Sequence, residues 1–224
     1  VRTLILQAVL LRATAEAAGA GAAAPHQICV QVWWVTLFTL DALAVAAQSL
    51  VASSLGAGDV TRAREAADRC LRWALATGTA VGVGIYAAGP ALPGVFTDDP
   101  SLAESARGPL ALVASLQPLN AAVFVGDGVL QGAADFDYLA MAMAASAAPA
   151  LAMLGAVGVG AEAGAAQGAT AEVVSATALG GVWRAMAALQ LSRAGTLSWR
   201  YWFDGRSPVA SRERSDEAGK ENGE

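Results

Sequence analysis

Between residues 73 and 97 the chain reads WALATGTAVGVGIYAAGPALPGVFT, 25 positions without a charged side chain. Residues 138–161 add 24 such positions and residues 108–126 a further 19, while residues 17–40 hold only His26. A helix of roughly 20 predominantly apolar residues crosses about 30 Å of hydrocarbon. A soluble helical protein of similar make-up needs a polar outer face on each helix, and these runs have none. In a chain of 224 residues that is 55% hydrophobic and 15% charged, four such runs predict an all-α integral membrane protein that crosses the bilayer several times.

Turn signals divide the chain into six expected helices, near 3–23, 26–54, 70–92, 105–134, 138–158 and 173–196. The breaks fall at GAGAAAP (19–25), GAGD (56–59), the GP and LPG around 89–94, DDPS (98–101) and the Gly/Ala-rich stretch 155–169. Pro118 is expected to kink the fourth helix, because it removes a backbone donor. With six crossings, the N-terminus, the second and fourth loops and the C-terminus share one side. Eleven of the 14 Lys and Arg residues then lie on that side: Arg2, Arg62, Arg64, Arg69, Arg72, Arg193, Arg200, Arg206, Arg212, Arg214 and Lys220. Arg12, Arg107 and Arg184 fall within helices. Positive charge marks the cytoplasmic side, or the matching face of an organelle membrane. Trp73, Trp199, Tyr201 and Trp202 are expected in an interfacial aromatic belt.

Residues 1–200 thus read as one six-helix transmembrane unit, and 201–224 as a polar tail expected to be disordered. The net charge of −5 owes much to this tail and says nothing about a nucleic-acid partner, and no basic patch suggests one. Cys29 and Cys70, in separate segments, read as small apolar fillers. No phosphate loop, nucleophile motif or metal-ligand cluster appears, so neither an enzyme, a cofactor nor a metal site is expected. Membrane lipid is the implied surrounding.

Two helices carry polar stripes. At about 100° per residue, Gln27, Gln31, Trp34, Phe38, Asp41 and Gln48 share one face of the second helix over a full crossing. Gln117, Asn120, Phe124, Asp127, Gln131 and Asp135 share one face of the fourth. Asp137 points nearly the opposite way and reads as a surface residue. Ionisable groups at membrane depth are costly and normally face a bundle interior or a wet cavity. Two readings remain open here. The stripes can line a transport pathway, or they can be glue that hydrogen-bonds neighbouring helices. The Asp-Gly at 127–128 also suits a helix end. Arg12 and Glu16, four apart, are expected to pair on the first helix. His26 is expected at the interface. Gly78–Gly82 and Gly128–Gly132 have the spacing of close helix packing.

The blocks HQICVQVW (26–33), LDALAVAAQSLVASSLGAGD (40–59), VFTDDP (95–100) and QPLNAAVFVGDGVLQGAADFDYLAMAM (117–143) resemble the multidrug and toxic compound extrusion (MATE) transporters, in their DinF-like branch. The QICVQVW and DFDYLAMAM wording is most similar to plant and algal plastid members, which implies a plastid envelope. The resemblance covers about residues 1–200. It implies one lobe, the C-terminal one, of a twelve-helix transporter whose two six-helix lobes face a central cavity. The function it implies is proton- or sodium-coupled antiport that exports organic compounds or xenobiotics, with a six-helix N-terminal lobe as partner and a small organic molecule as substrate. Asp127 matches the family's acidic position in the FVxDG block, and Asp41 the one in the LADxLAVAxQ block. The implied lining is Gln27, Gln31, Trp34, Phe38, Gln48, Gln117, Asn120, Phe124 and Gln131. Arg184 departs from the family's apolar pattern. The rival class is a non-transporting membrane scaffold or inactive remnant, or else an unrelated small transporter that dimerises.

Overall fold

A computed structural model describes residues 2–89 and 91–204. Among them run seven α-helices and no strand: α1 (Arg2–Gly19), α2 (Ala23–Gly56), α3 (Val60–Ala88), α4 (Pro100–Ser115), α5 (Gln117–Gly132), α6 (Phe136–Ala166) and α7 (Ala171–Ser198). A short 3-10 turn, Leu92–Val95, follows α3, and a π-helical turn, Trp199–Phe203, closes α7. By length and composition, α2 and α6 can each cross a membrane, and α4 with α5 passes as a third, bent span. α1, α3 and α7 are not apolar enough by the same measure, although residues 73–88 of α3 are free of charge.

The expected fourth helix is two helices that meet at Leu116 with a bend of 50°. Pro118 stands in the first turn of α5 and lacks the N–H that would bond to the Ala114 carbonyl. The bend is packed by glycines. A Cβ at Gly82 of α3 would lie 2.6 Å from the Ala114 carbonyl oxygen, and one at Gly78 would lie 2.6 Å from that of Gln117. Gly128 and Gly132 let α5 approach α2 in the same way. A Cβ at Gly128 would overlap the Ala44 carbonyl, and one at Gly132 would lie 2.5 Å from the Gln48 oxygen. Both glycine pairs are therefore contact points of the bundle, as their spacing predicted.

Helix ends explain the remaining differences from the expected boundaries. Gly58 turns the chain with φ of 77°, and the Asp59 carboxylate accepts from the Arg62 N–H at 2.9 Å. This cap starts α3 ten residues before the expected position, so Arg62, Arg64, Arg69 and Arg72 lie on its opening turns rather than in a loop. Asp99 caps α4 likewise, ahead of Pro100. The alanines of 155–166 continue α6 past its expected end, since alanine is the best helix former. Gly168, with φ of 82°, makes the actual break, and Thr170 caps α7.

The core is built around α5, which packs between α2, α3 and α7. One apolar cluster joins Val9, Trp33, Leu110, Leu154 and Trp183 across α1, α2, α4, α6 and α7. Another joins Leu40, Ala44, Ala67, Phe124 and Tyr201. Cys29 and Cys70 are buried free thiols within these clusters. Tyr201 is buried rather than interfacial, while Trp73, Trp199 and Trp202 are exposed. The ordered chain thus runs past residue 200 into the π-helical turn. Of the tail expected to be disordered from 201 to 224, residues 201–203 belong to that turn, and 205–224 lie outside the described residues.

Candidate functional site

Both polar stripes form, and their surroundings differ. On α5, Gln117, Asn120, Phe124 and Asp127 are buried, and Gln131 is half-buried. Asn120 and Asp127 meet α7, whose inward residues Trp183, Met186, Gln190, Arg193 and Leu197 recur at three- and four-residue spacing. Gln190 donates through its amide Nε2 to the Asn120 Oδ1 at 2.7 Å. Two turns further along α5, Asp127 forms an ion pair with Arg193. These two side chains are the most deeply buried charges among the described residues, with 1% and 3% exposure. Gln131 donates to the Asp127 backbone carbonyl at 3.2 Å, and Gln117 donates to that of Val113 at 3.1 Å. The Oε1 atoms of Gln117 and Gln190 are buried without a hydrogen-bond partner among the described residues.

Arg193 corrects the count of basic residues on one side. It lies within α7, not beyond it, and serves Asp127 across the helix seam. Asp135 is corrected as well. α5 ends at Gly132, Ala134 turns with φ of 58°, and Asp135 stands before α6, where it accepts from Arg200 Nε at 2.7 Å. Asp137 is exposed, as expected.

On α2, Gln27, Gln31, Phe38 and Asp41 are exposed, and Trp34 and Gln48 are half-buried. The rings of Trp34 and Phe38 stack with centroids 5.9 Å apart. The two stripes meet at one place, a cavity of about 150 Å³. Trp34, Phe38 and Asp41 of α2 line it, together with Phe124 of α5 and Arg193 of α7. Leu6, Gln7 and Leu10 of α1 close one side. The close contact of Gly128 with Ala44 lies one residue from Asp127 and one turn from Asp41, which brings the two acidic positions to the same level. Gln27, Gln31, Gln48, Gln117, Asn120 and Gln131 do not line this cavity.

Larger clefts lie elsewhere. One of about 400 Å³ between α6 and α7 is walled by glycine, alanine and valine with exposed Arg184 at its edge. Another, of about 530 Å³, borders Glu16 and Glu162. Neither brings stripe residues together. Arg12 and Glu16 form the expected ion pair on α1. His26 is fully buried instead of interfacial, because α2 begins at Ala23 and packs its first turn against α7. Its ring lies 5.6 Å from that of Trp183, and its Nε2 is 3.4 Å from the Thr14 hydroxyl.

At the basic end, two knots tie together the segments expected to share a side. The Arg64 guanidinium lies 4.0 Å from the Tyr201 ring centre, and the Tyr201 hydroxyl donates to Asp68 at 2.8 Å. Burial, then that hydrogen bond, pushes the Tyr201 phenol above its ordinary range. Arg200 joins Asp135 and Asp204. The hydrogen bond to Asp135 holds Arg200 more firmly protonated than usual.

The family model MatE matches residues 3–157. Among curated proteins of Arabidopsis thaliana, the chain is 35% identical over 144 residues to the chloroplastic Protein DETOXIFICATION 45, a stretch covering 63% of this chain and 26% of the relative. It is 36% identical over 144 residues to the chloroplastic Protein DETOXIFICATION 44, covering 63% of this chain and 28% of the relative. With Protein DETOXIFICATION 43 the identity is 34% over 134 residues, or 60% of this chain and 26% of that one. The chain therefore spans little more than a quarter of the length of these relatives. No solved structure matches it. With the model matched across more than half its length, and with long apolar helices bearing polar faces, this chain belongs to the MatE family of integral membrane transporters.

Proposed function

We propose that the chain forms the C-terminal, six-crossing lobe of a cation-coupled antiporter that exports small organic compounds. Its bent pair α4–α5 then counts as one crossing. The coupling ion is a proton or a sodium ion, and Asp127 and Asp41 are the acidic positions that respond to it. The observation that carries this reading is the cavity where Trp34, Phe38, Asp41, Phe124 and Arg193 converge beside Asp127. Stacked aromatics suit a planar organic substrate, and carboxylates at membrane depth mark ion pathways. A volume of about 150 Å³ falls below the roughly 300–1,000 Å³ of small-molecule sites. A facing six-helix lobe, packed over the exposed polar face of α2, would complete it. Gln27, Gln31 and Gln48 then line the shared space, and Gln117, Asn120 and Gln131 hold its inner wall. The chloroplastic relatives favour a plastid envelope as the membrane.

The buried α5–α7 seam also suits the rival reading, a scaffold in which Asp127 is glue. One experiment separates the two. In proteoliposomes holding a complete transporter with this chain as its C-terminal lobe, Asp127→Asn is expected to insert and fold normally yet lose ion-driven efflux of an organic dye. Asp137→Asn, on the exposed start of α6, is expected to transport nearly as wild type. Normal efflux from Asp127→Asn, or failure to fold, overturns the coupling role. Robust efflux from the 224-residue chain alone overturns the need for a second lobe.

A further inference from the structure

We infer that Arg193 is a transferable counter-ion, which leaves Asp127 for Asp41 across the 150 Å³ cavity whenever another cation neutralises Asp127. The inference takes from the transport reading only the identity of that cation. Three observations support it. Arg193 both pairs with Asp127 and forms part of the cavity wall, so its side chain already borders the space into which it would swing. Asp41 is the carboxylate on that wall. It stands one turn before Ala44, whose backbone touches Gly128 next to Asp127.

Charge balance requires a receiver of this kind. An arginine does not give up its proton in a protein, so the pair is neutral only while Asp127 is ionised. A proton or sodium ion on Asp127 leaves one positive charge on Arg193, at membrane depth, where a lone charge is costly. Asp41 supplies the one negative charge that restores neutrality. The swing itself makes and breaks no covalent bond, and the arriving cation takes Asp127, Arg193 and Asp41 together from one net negative charge to none. The movement changes what α7 is tied to: α5 in one state and α2 in the other. Arg193 is thus a positioning residue that links occupancy of Asp127 to the packing of α7.

The test is a thermal-unfolding cycle on the full 224-residue chain in detergent, which needs no transport. Asp127→Asn mimics the neutralised carboxylate, and the freed guanidinium should be received by Asp41, so this variant should remain folded with a modest loss in Tm. Asp41→Asn alone should leave Tm near wild type, because Arg193 still holds Asp127. The double variant should lose more than the sum of the two by at least about 2–4 °C, and adding Arg193→Gln should recover that excess. Additive losses in the double variant overturn the transfer. So does an Asp127→Asn chain that fails to fold, since the guanidinium would then have found no receiver. Loss of efflux in the transport assay together with additive unfolding would leave the coupling role of Asp127 standing and remove the transfer alone.

Discussion

Two helices with the same sequence pattern end in opposite settings. α2 and α5 each place amides, an aromatic and an aspartate along one face, yet the α5 face is packed against α7 while most of the α2 face is open. Gln117, Asn120 and Asp127 find helix partners or lie sealed from solvent. Gln27, Gln31 and Asp41 look outward. Periodicity specifies the direction of a face relative to its own helix axis. It does not specify what stands opposite. A buried stripe holds the bundle together, and an open one leaves its side chains to the surroundings. The difference therefore divides the candidate site into a wall buried within the chain and a wall that is exposed.

The comparison breaks most sharply at Arg193. Arg193→Gln takes the guanidinium away from a buried carboxylate, and removing one partner of a buried pair costs about 3–5 kcal/mol. Chemical unfolding of the detergent-solubilised chain should report a loss of that order. Gln31→Leu on the open face should move stability by no more than about 0.5 kcal/mol. Equal effects from the two substitutions would erase the distinction between the walls.

The next largest effect concerns the contact that sets the two stripes side by side. Gly128→Ala places a methyl against the Ala44 carbonyl, and α2 must move away from α5. Overpacking of this kind costs about 1–3 kcal/mol. The cavity bordered by Asp41, Phe124 and Arg193 should widen, so a cysteine at Phe38 should react faster with a bulky maleimide in the Gly128→Ala background. Gly84, against which nothing lies within contact distance, provides the control, and Gly84→Ala should be nearly silent. A silent Gly128→Ala would mean that α2 and α5 are not held at backbone contact.

Much of this arrangement was legible in the sequence, for physical reasons that can be named. Three of the four uncharged runs marked α2, α6 and the α4–α5 pair because a bilayer tolerates little else, whereas the run 73–97 covers the second half of α3, which is not apolar enough along its length to count as a span. Pro118 and the two glycine pairs marked the bend and its packing, since each acts through backbone geometry alone. What escaped was the identity of partners. Arg193 was assigned to a side of the membrane by its place near the chain's basic end, and Asp135 to a stripe by the angle of a helix that stops three residues earlier. A signal for Arg193 was present. Residues 183, 186, 190, 193 and 197 alternate spacings of three and four, the row of a buried helical face. An arginine inside such a row needs a carboxylate opposite. His26 escaped for a similar reason: its burial follows from α7 packing over the start of α2, which no local pattern encodes.

A smaller effect is expected at the basic end, where the contacts are half-exposed. Tyr201→Phe removes the hydroxyl that donates to Asp68 but keeps the ring under Arg64. A hydrogen bond of this sort is worth about 0.5–1.5 kcal/mol net, so unfolding should shift by about 1 kcal/mol or less. Hydrogen exchange should quicken at the last turn of α7 and leave the seam at Gln190 unchanged. Faster exchange along the whole of α7 would show that the basic end and the seam open together.

The smallest effect belongs to an exposed carboxylate that serves as a cap, the opposite of Asp127 in every respect but chemistry. Asp99 accepts from the Ser101 hydroxyl at 2.8 Å and from its backbone N–H at 2.9 Å, and these bonds hold its carboxyl below the ordinary range. A carboxylate whose folded value is depressed contributes stability above its unfolded value and loses it as pH falls through the folded one. The first turn of α4 should therefore exchange its amide protons slowly near neutral pH, and faster once the pH drops below the usual carboxylate range. Asp99→Asn retains a capping oxygen without a charge to titrate, so it should flatten that pH dependence while leaving the turn formed. Asp99→Ala should quicken exchange at every pH. If the Asn variant keeps the wild-type pH dependence, the cap is not where the charge acts.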